Sequence, residues 1–154
     1  NAHMSVDELD TLFNKRSGMM GLTGFGDLRE VHRLVEEGNE DAKLALGIYV
    51  HRIVGYIGNY TAQMGGVDVI TFTAGVGEND DVVRKMVCDK LAPFGVKLDE
   101  EKNATRSKEP RIISTPDSAV TICVIPTNEE LAIARKSAAI AEEGKDSYGN
   151  VFSK

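Results

Sequence analysis

The chain has 154 residues, 42% of them hydrophobic and 27% charged, with a formal net charge of −6. That is long enough for one domain with a real core and is the composition of a soluble globular protein. An acidic balance without a basic run makes nucleic acid and anionic membranes poor partners, and no apolar run reaches the roughly 20 residues of a transmembrane helix. Asn1-Ala2-His3-Met4 reads as a cloning remnant, residues 5–144 as the domain, and 145–154 as a frayed tail.

Ser5 and Glu8 have capping-box spacing ahead of Leu9, Leu12 and Phe13, which predicts a short helix to about Arg16. Ser17 to Asp27 carries Gly18, Gly21, Gly24 and Gly26 among apolar residues, and is expected to be a loop that packs on another element. Asp27 can cap a helix in which Leu28, Val31, Leu34 and Val35 keep helical spacing until Gly38. Asn39 to Met64 is the longest periodic stretch, apolar over most of its girth, so it is either central to the domain or buried against a partner. Gly47, Gly55 and Gly58 each cost about 1 kcal/mol against alanine inside such a helix, which suggests close approach of another element. Gly65-Gly66 ends it.

Val67 to Thr73 is rich in β-branched residues, the composition of a buried strand. Gly75 and Gly77 interrupt it, and Asn79 is placed to cap a following helix with Asp80 and Asp81 in its first turn. Glycines there carry no Cβ to hold a ligand off and can take positive φ. A helix N-terminus aimed back at such a turn favours an anionic or oxygen-rich ligand. An ordinary tight turn uses the same Gly-x-Gly pattern, so both readings stand at this point. Val82 to Leu91 continues as a helix, Pro93-Phe94-Gly95 as a turn, and Asp99 to Lys108 as a short helix running into a loop. Arg111–Ser114 and Val120–Ile125 read as strands joined through Thr115-Pro116-Asp117-Ser118, and Thr127-Asn128-Glu129-Glu130 opens a last helix.

Chemistry is narrowed by what is missing. There is no Gly-x-x-x-x-Gly-Lys-Ser/Thr, which excludes a P-loop, and no protein-kinase Asp-Phe-Gly or His-Arg-Asp set. His32 and His51 lack Cys or His at ligand spacing and read as surface or helix-packing histidines. Cys88 and Cys123 stand outside any Cys-x-x-Cys spacing and read as reduced thiols of a cytosolic protein. Three places remain: the Gly75–Asn79 turn, Asp27-Leu28-Arg29, and Asn128-Glu129-Glu130. Asp27 is equally well explained as a cap beside an exposed arginine. Thr127 and Glu130 have capping-box spacing, which leaves Glu129 as the carboxylate free to hold Mg²⁺ beside phosphates.

Thr71-Phe72-Thr73-Ala74-Gly75-Val76-Gly77-Glu78-Asn79 closely resembles the Phe-Thr-Gly-Gly-Ile-Gly-Glu-Asn turn of acetate kinases. Ile125-Pro126-Thr127-Asn128-Glu129-Glu130-Leu131-Ala132-Ile133-Ala134-Arg135 resembles a segment near their C-terminus. Ser17-Gly18-Met19-Met20-Gly21-Leu22-Thr23-Gly24 with Asp27-Leu28-Arg29 is similar to a third family block in the right order. Ala74 stands where the family usually has glycine, and the block before Asp27 is shorter or altered.

The resemblance implies an α/β fold: an RNase H-like, actin-like ATPase domain of the acetate and sugar kinase–Hsp70–actin superfamily, with a mixed sheet flanked by helices. It implies an ATP or ADP site with contacts at Asp27, Leu28, Arg29, Gly75, Val76, Gly77, Glu78 and Asn79, and Mg²⁺ at Glu129. It also implies a cytoplasmic homodimer. In the family the acetate pocket, phosphate-positioning glycines, a transition-state histidine and two arginines come from segments that precede the equivalent of Ser5. The chain is therefore expected to be a C-terminal half that carries no catalytic residue and cannot by itself make acetyl phosphate. Rival expectations are a propionate or butyrate kinase domain, or a non-catalytic actin-like ATP-binding or assembly module.

Overall fold

A computed structural model describes residues 3–143; the expected start of the remnant at Asn1-Ala2, the end of the last helix at Gly144 and the tail lie outside the described residues. In chain order the elements are α1 (Val6–Lys15), α2 (Gly18–Thr23), α3 (Leu28–Glu36), α4 (Glu40–Met64), β1 (Val69–Phe72), α5 (Ala74–Asn79), α6 (Asp81–Leu91), α7 (Glu100–Ala104), β2 (Arg111–Ile112), β3 (Thr121–Val124) and α8 (Glu129–Glu143).

Local capping sets most helix starts. Glu8 N–H donates to Ser5 Oγ and Ser5 N–H to Glu8 Oε2, the full capping box. Asp27, Asn39 and Asp99 accept in the same way at α3, α4 and α7. At the far end of α4, Gly65 takes the left-handed conformation that stops the helix.

The three strands form a mixed sheet in the order β1-β3-β2. β1 runs parallel to β3, with Val69 opposite Thr121 and Phe72 opposite Val124; β2 runs antiparallel, with Arg111 opposite Val124. Ile122 and Val124 point from β3 into the core and meet Val83, Val87 and Leu91 of α6 together with Val31 of α3 and Ala42, Leu46 and Val50 of α4. Cys88 joins this cluster as a free thiol, pushed up to about 12 by burial, and Cys123 is free as well. Among the described residues, no helix is long and apolar enough to cross a membrane.

Three expectations are corrected. The glycine-rich stretch after Ser17 is not a loop: Gly18–Thr23 forms α2, which packs on α4 as anticipated. A Cβ on Gly21 would meet the Arg16 carbonyl oxygen at 2.8 Å, so this glycine serves the α1–α2 junction. β1 is not buried, since Val69 is 53% exposed on the outer side of the sheet. Gly47, Gly55 and Gly58 face open space, with no atom within 4 Å of where a Cβ would stand, so no packed neighbour explains them. The α4 surface around them carries exposed Leu44, Ile48, Tyr56, Tyr60 and Met64. The helix is a core element through buried Ala42, Ala45, Leu46 and Val50, with Tyr49, Ile53, Val54 and Ile57 partly buried against the core.

Candidate functional site

The stretch after β1 is itself helical. α5 spans the two glycines, and the residue with positive φ is Ala74, at +59°, while Gly75 and Gly77 lie outside that region. The two glycines serve different ends. A Cβ on Gly77 would stand 3.2 Å from the Phe72 carbonyl carbon, so Gly77 lets α5 fold back onto β1. A Cβ on Gly75 would meet nothing within 4 Å. Asn79 does not cap α6. Its side-chain amide donates to the Gly75 carbonyl at 2.8 Å, and Asp80 caps α6 by accepting from Val83 N–H at 2.9 Å. A helix of its own, rather than a bare turn, separates β1 from the α6 N-terminus.

Arg84 fixes the far end of α5. It is 2% exposed and donates from Nη1 to the carbonyl oxygens of Gly77 at 2.9 Å and Glu78 at 3.0 Å. Burial, reinforced by the charge of Arg111, lowers its affinity for the proton below that of an ordinary guanidinium. Nothing in the local pattern singled out Arg84; its place five residues beyond Asn79 on the inner face of α6 is the available signal.

A cleft of about 1270 Å³ lies between these elements. Its walls include Asp27, Leu28 and Arg29 at the start of α3 and Gly75, Val76 and Asn79 on α5. Two of the three stretches singled out by sequence therefore meet in one cavity. Gly77 and Glu78 are not on its wall, and neither is Glu129. His32, Tyr49, Arg52 and Asp80 also line the cleft and were not picked out as site residues. His32 Nε2 lies 2.7 Å from Asp80 Oδ2, so this histidine links helices across the cleft instead of merely packing.

Arg29 is 90% exposed at the cleft mouth, and its guanidinium and backbone N–H both donate to Asp27. Those bonds hold the Asp27 carboxyl down to about 2. At the same far end of α5 that Arg84 holds, Glu78 Oε1 accepts from Thr127 N–H at 2.8 Å and from Thr127 Oγ1 at 3.0 Å, and these bonds hold its carboxyl below the usual range. That clamp ties the start of α8 to α5. It also overturns the expected Thr127–Glu130 capping box: Asn128 Oδ1 caps α8 by accepting from Leu131 N–H at 2.9 Å. Glu129 is exposed just beyond this junction. A lone hard carboxylate suits Mg²⁺ held mainly by phosphates and water, and among the described residues no acidic, His or Cys cluster forms an all-protein cage.

The profile of the acetokinase family matches residues 1–135. An acetate kinase of Desulfotalea psychrophila is 54% identical over 140 residues, covering 91% of this chain and 35% of the relative. The crystal structure of Porphyromonas gingivalis acetate kinase superposes with a TM-score of 0.80 at 41% identity, over 90% of this chain and 35% of that one. A propionate kinase from Francisella tularensis superposes at 0.78 with 39% identity, over 88% of this chain and 34% of its own. The chain thus spans about a third of the length of the relatives it matches.

Proposed function

The chain belongs to the acetokinase family, and on that footing we propose that residues 5–144 are the C-terminal nucleotide-binding domain of an ATP:acetate phosphotransferase. Its α/β architecture, a mixed sheet flanked by helices, is the actin-like fold of the acetate and sugar kinase–Hsp70–actin superfamily, as the superpositions on acetate and propionate kinases show. The cleft takes ATP or ADP, the gamma-phosphate passes to acetate in the complete enzyme, and the 154-residue chain alone does not make acetyl phosphate. The observation that carries this reading is the convergence of Asp27–Arg29 and Gly75, Val76 and Asn79 on one cavity from segments separated by α3, α4 and β1.

The residues present suit a nucleotide. Gly75 leaves the floor of the cleft bare, where any larger residue would occupy ligand space. Leu28, Val76 and Ile48 supply apolar walls, while Asp27, Arg29 and Asn79 offer acceptors and donors at the rim. Glu129 would contribute a carboxylate to nucleotide-bound Mg²⁺, whose chemistry is to neutralise developing charge on the phosphates. Gly77 and Glu78 act from behind the wall, holding α5 against β1 and α8. Because phosphoryl transfer is dominated by positioning and charge stabilisation of the moving group, a domain without the acyl-handling residues binds nucleotide without transferring it. The exposed apolar stripe of α4 supports assembly as a homodimer.

Calorimetric titration of Mg-ATP into the wild-type chain and into Gly75→Val tests the reading. Binding by the first and a loss of at least about tenfold in the second are expected, since valine would fill the bare floor. Equal affinities would overturn it. A propionate kinase domain is the second reading, favoured by the superposition on the Francisella protein. Acyl-chain preference of the longer enzyme decides between the two.

A further inference from the structure

We propose that the His32–Asp80 pair sets the spacing between the two walls of the cleft, which makes His32 a positioning residue for nucleotide binding; this rests on reading the cleft as a nucleotide site. His32 lies on α3, one turn beyond Leu28, so the two side chains share a helix face and both line the cavity. Asp80 follows Asn79 directly and joins α5 to α6. The bond between them, 2.7 Å from Nε2 to Oδ2, spans 48 residues of sequence. Among the described residues, no other side-chain hydrogen bond or ion pair joins α3 to α5 or α6.

The geometry fixes what each atom does. An ionised carboxylate only accepts, so Nε2 carries the proton and donates. The second Asp80 oxygen, Oδ1, is occupied by Val83 N–H at 2.9 Å. One carboxylate therefore grips the first turn of α6 with one oxygen and α3 with the other. Both side chains are largely withdrawn from water, His32 at 21% and Asp80 at 12% exposed, so competition from solvent is weak. Tyr49 approaches from α4; its hydroxyl is held protonated by burial and by the neighbouring Asp80 charge, so it presents no second anion to His32. Arg52, Asp81 and Arg106, with Asp27 and Arg29, are the other charged groups lining the cleft.

A nucleotide contacting both Asp27–Arg29 and α5 needs the two walls at one separation. With the tie intact that separation is set before the ligand arrives, and binding loses less ordering entropy. The test is a double-mutant cycle on Mg-ATP affinity in the 154-residue chain, with unfolding midpoints measured alongside. His32→Leu keeps bulk but cannot donate, and should weaken binding about tenfold, the scale of one coupled contact. In His32→Gln the side-chain amide nitrogen reaches the position of Nε2, and affinity should return to within about threefold of wild type. Asp80→Ser keeps an N-cap for Val83 but is too short for His32, and should match His32→Leu. The double variant should bind no more weakly than either single.

A merely structural histidine would instead lower the unfolding midpoint in step with affinity, show no rescue by glutamine, and give additive losses. Wild-type binding with His32→Leu unchanged would overturn the tie and leave the nucleotide site standing. Absence of any Mg-ATP binding by the wild-type chain would overturn both.

Discussion

Arg84 and Asn103 hold each other inside the core, the guanidinium donating from Nε to the Asn103 side-chain oxygen and from Nη2 to its backbone carbonyl, each at 2.7 Å. Asn103 in turn donates from Nδ2 to the Asp81 carbonyl at 2.9 Å. With Nη1 on Gly77 and Glu78, the cation is satisfied by neutral oxygens from two elements, α5 and α7, and the end of α5 is set by a group buried beneath it. Removing one partner leaves a charged donor unpaired in a dry place. Asn103→Ala should cost about 2 kcal/mol and Arg84→Met about 3 kcal/mol in urea unfolding, the range for breaking a buried charged network. A loss below about 0.5 kcal/mol for Arg84→Met would mean the network is not holding α5.

Ala74 is the residue to relax. At φ +59° it occupies the left-handed region that costs a Cβ-bearing residue about 1 kcal/mol, and the resembling family motif has glycine at this place. Ala74→Gly should raise stability by about 0.5 kcal/mol, since relief of strain outweighs the added freedom of the unfolded chain. A drop in the urea midpoint would show that the alanine methyl earns its place by packing.

The caps at Ser5 and Asp27 were legible because each is a contact within four residues: Ser5 with Glu8, Asp27 with Arg29. The glycine segments misled for a physical reason. Glycine lowers helix propensity by about 1 kcal/mol but does not forbid a helix, and α2 packing on α4 offsets the penalty. The same holds for α5, where Gly77 is wanted for its closeness to Phe72. The Thr127–Glu130 box failed because Asn128 is the better placed cap and Thr127 is taken by Glu78, 49 residues away. His32–Asp80 and Arg84–Asn103 were invisible for the same reason: no periodicity records which residues meet across the fold.

Acid should reach the exposed carboxylates held by cations only at the low end of the pH range. Asp27 is held down to about 2 by Arg29, and Asp117 to about 2 by Lys97 and Thr115, against an ordinary value of 3.8. Both are depressed in the folded state, so their contribution is full above about 3.8 and disappears as pH falls towards 2. Asp27→Asn retains an N-cap but no titrating charge, and should flatten the acid limb of the stability profile in that window. Salt near 1 M, where screening acts over about 3 Å, should shrink the difference between wild type and variant. Profiles that coincide at low salt would contradict the assignment.

Glu129 can be separated from the nucleotide contacts by comparing ATP with and without Mg²⁺. Glu129→Gln keeps shape and exposure while removing the charge that a hard cation prefers. Mg-ATP affinity should fall severalfold and metal-free ATP affinity should stay level or rise, because a carboxylate near bare phosphates is repulsive. The same response to Mg-ATP in both proteins would remove the metal role from this residue.

The two α5 glycines give the sharpest contrast, because the same substitution should do opposite things two residues apart. At Gly75 a methyl meets open space, so Gly75→Ala should hold or raise stability by up to about 1 kcal/mol through helix propensity while weakening nucleotide binding from the floor of the cleft. At Gly77 the methyl presses on the Phe72 backbone, with 3.2 Å to the carbonyl carbon and 3.4 Å to Cα. β1 cannot retreat without loosening its register with β3, so Gly77→Ala should destabilise by about 1–3 kcal/mol. Its nucleotide affinity, corrected for the fraction folded, should change little, because Gly77 is not on the cleft wall. Measuring urea midpoints and Mg-ATP titrations on both variants separates the glycine that serves the ligand from the one that serves the fold. If Gly77→Ala were the variant that lost affinity while keeping stability, the cleft would have been assigned to the wrong face of α5.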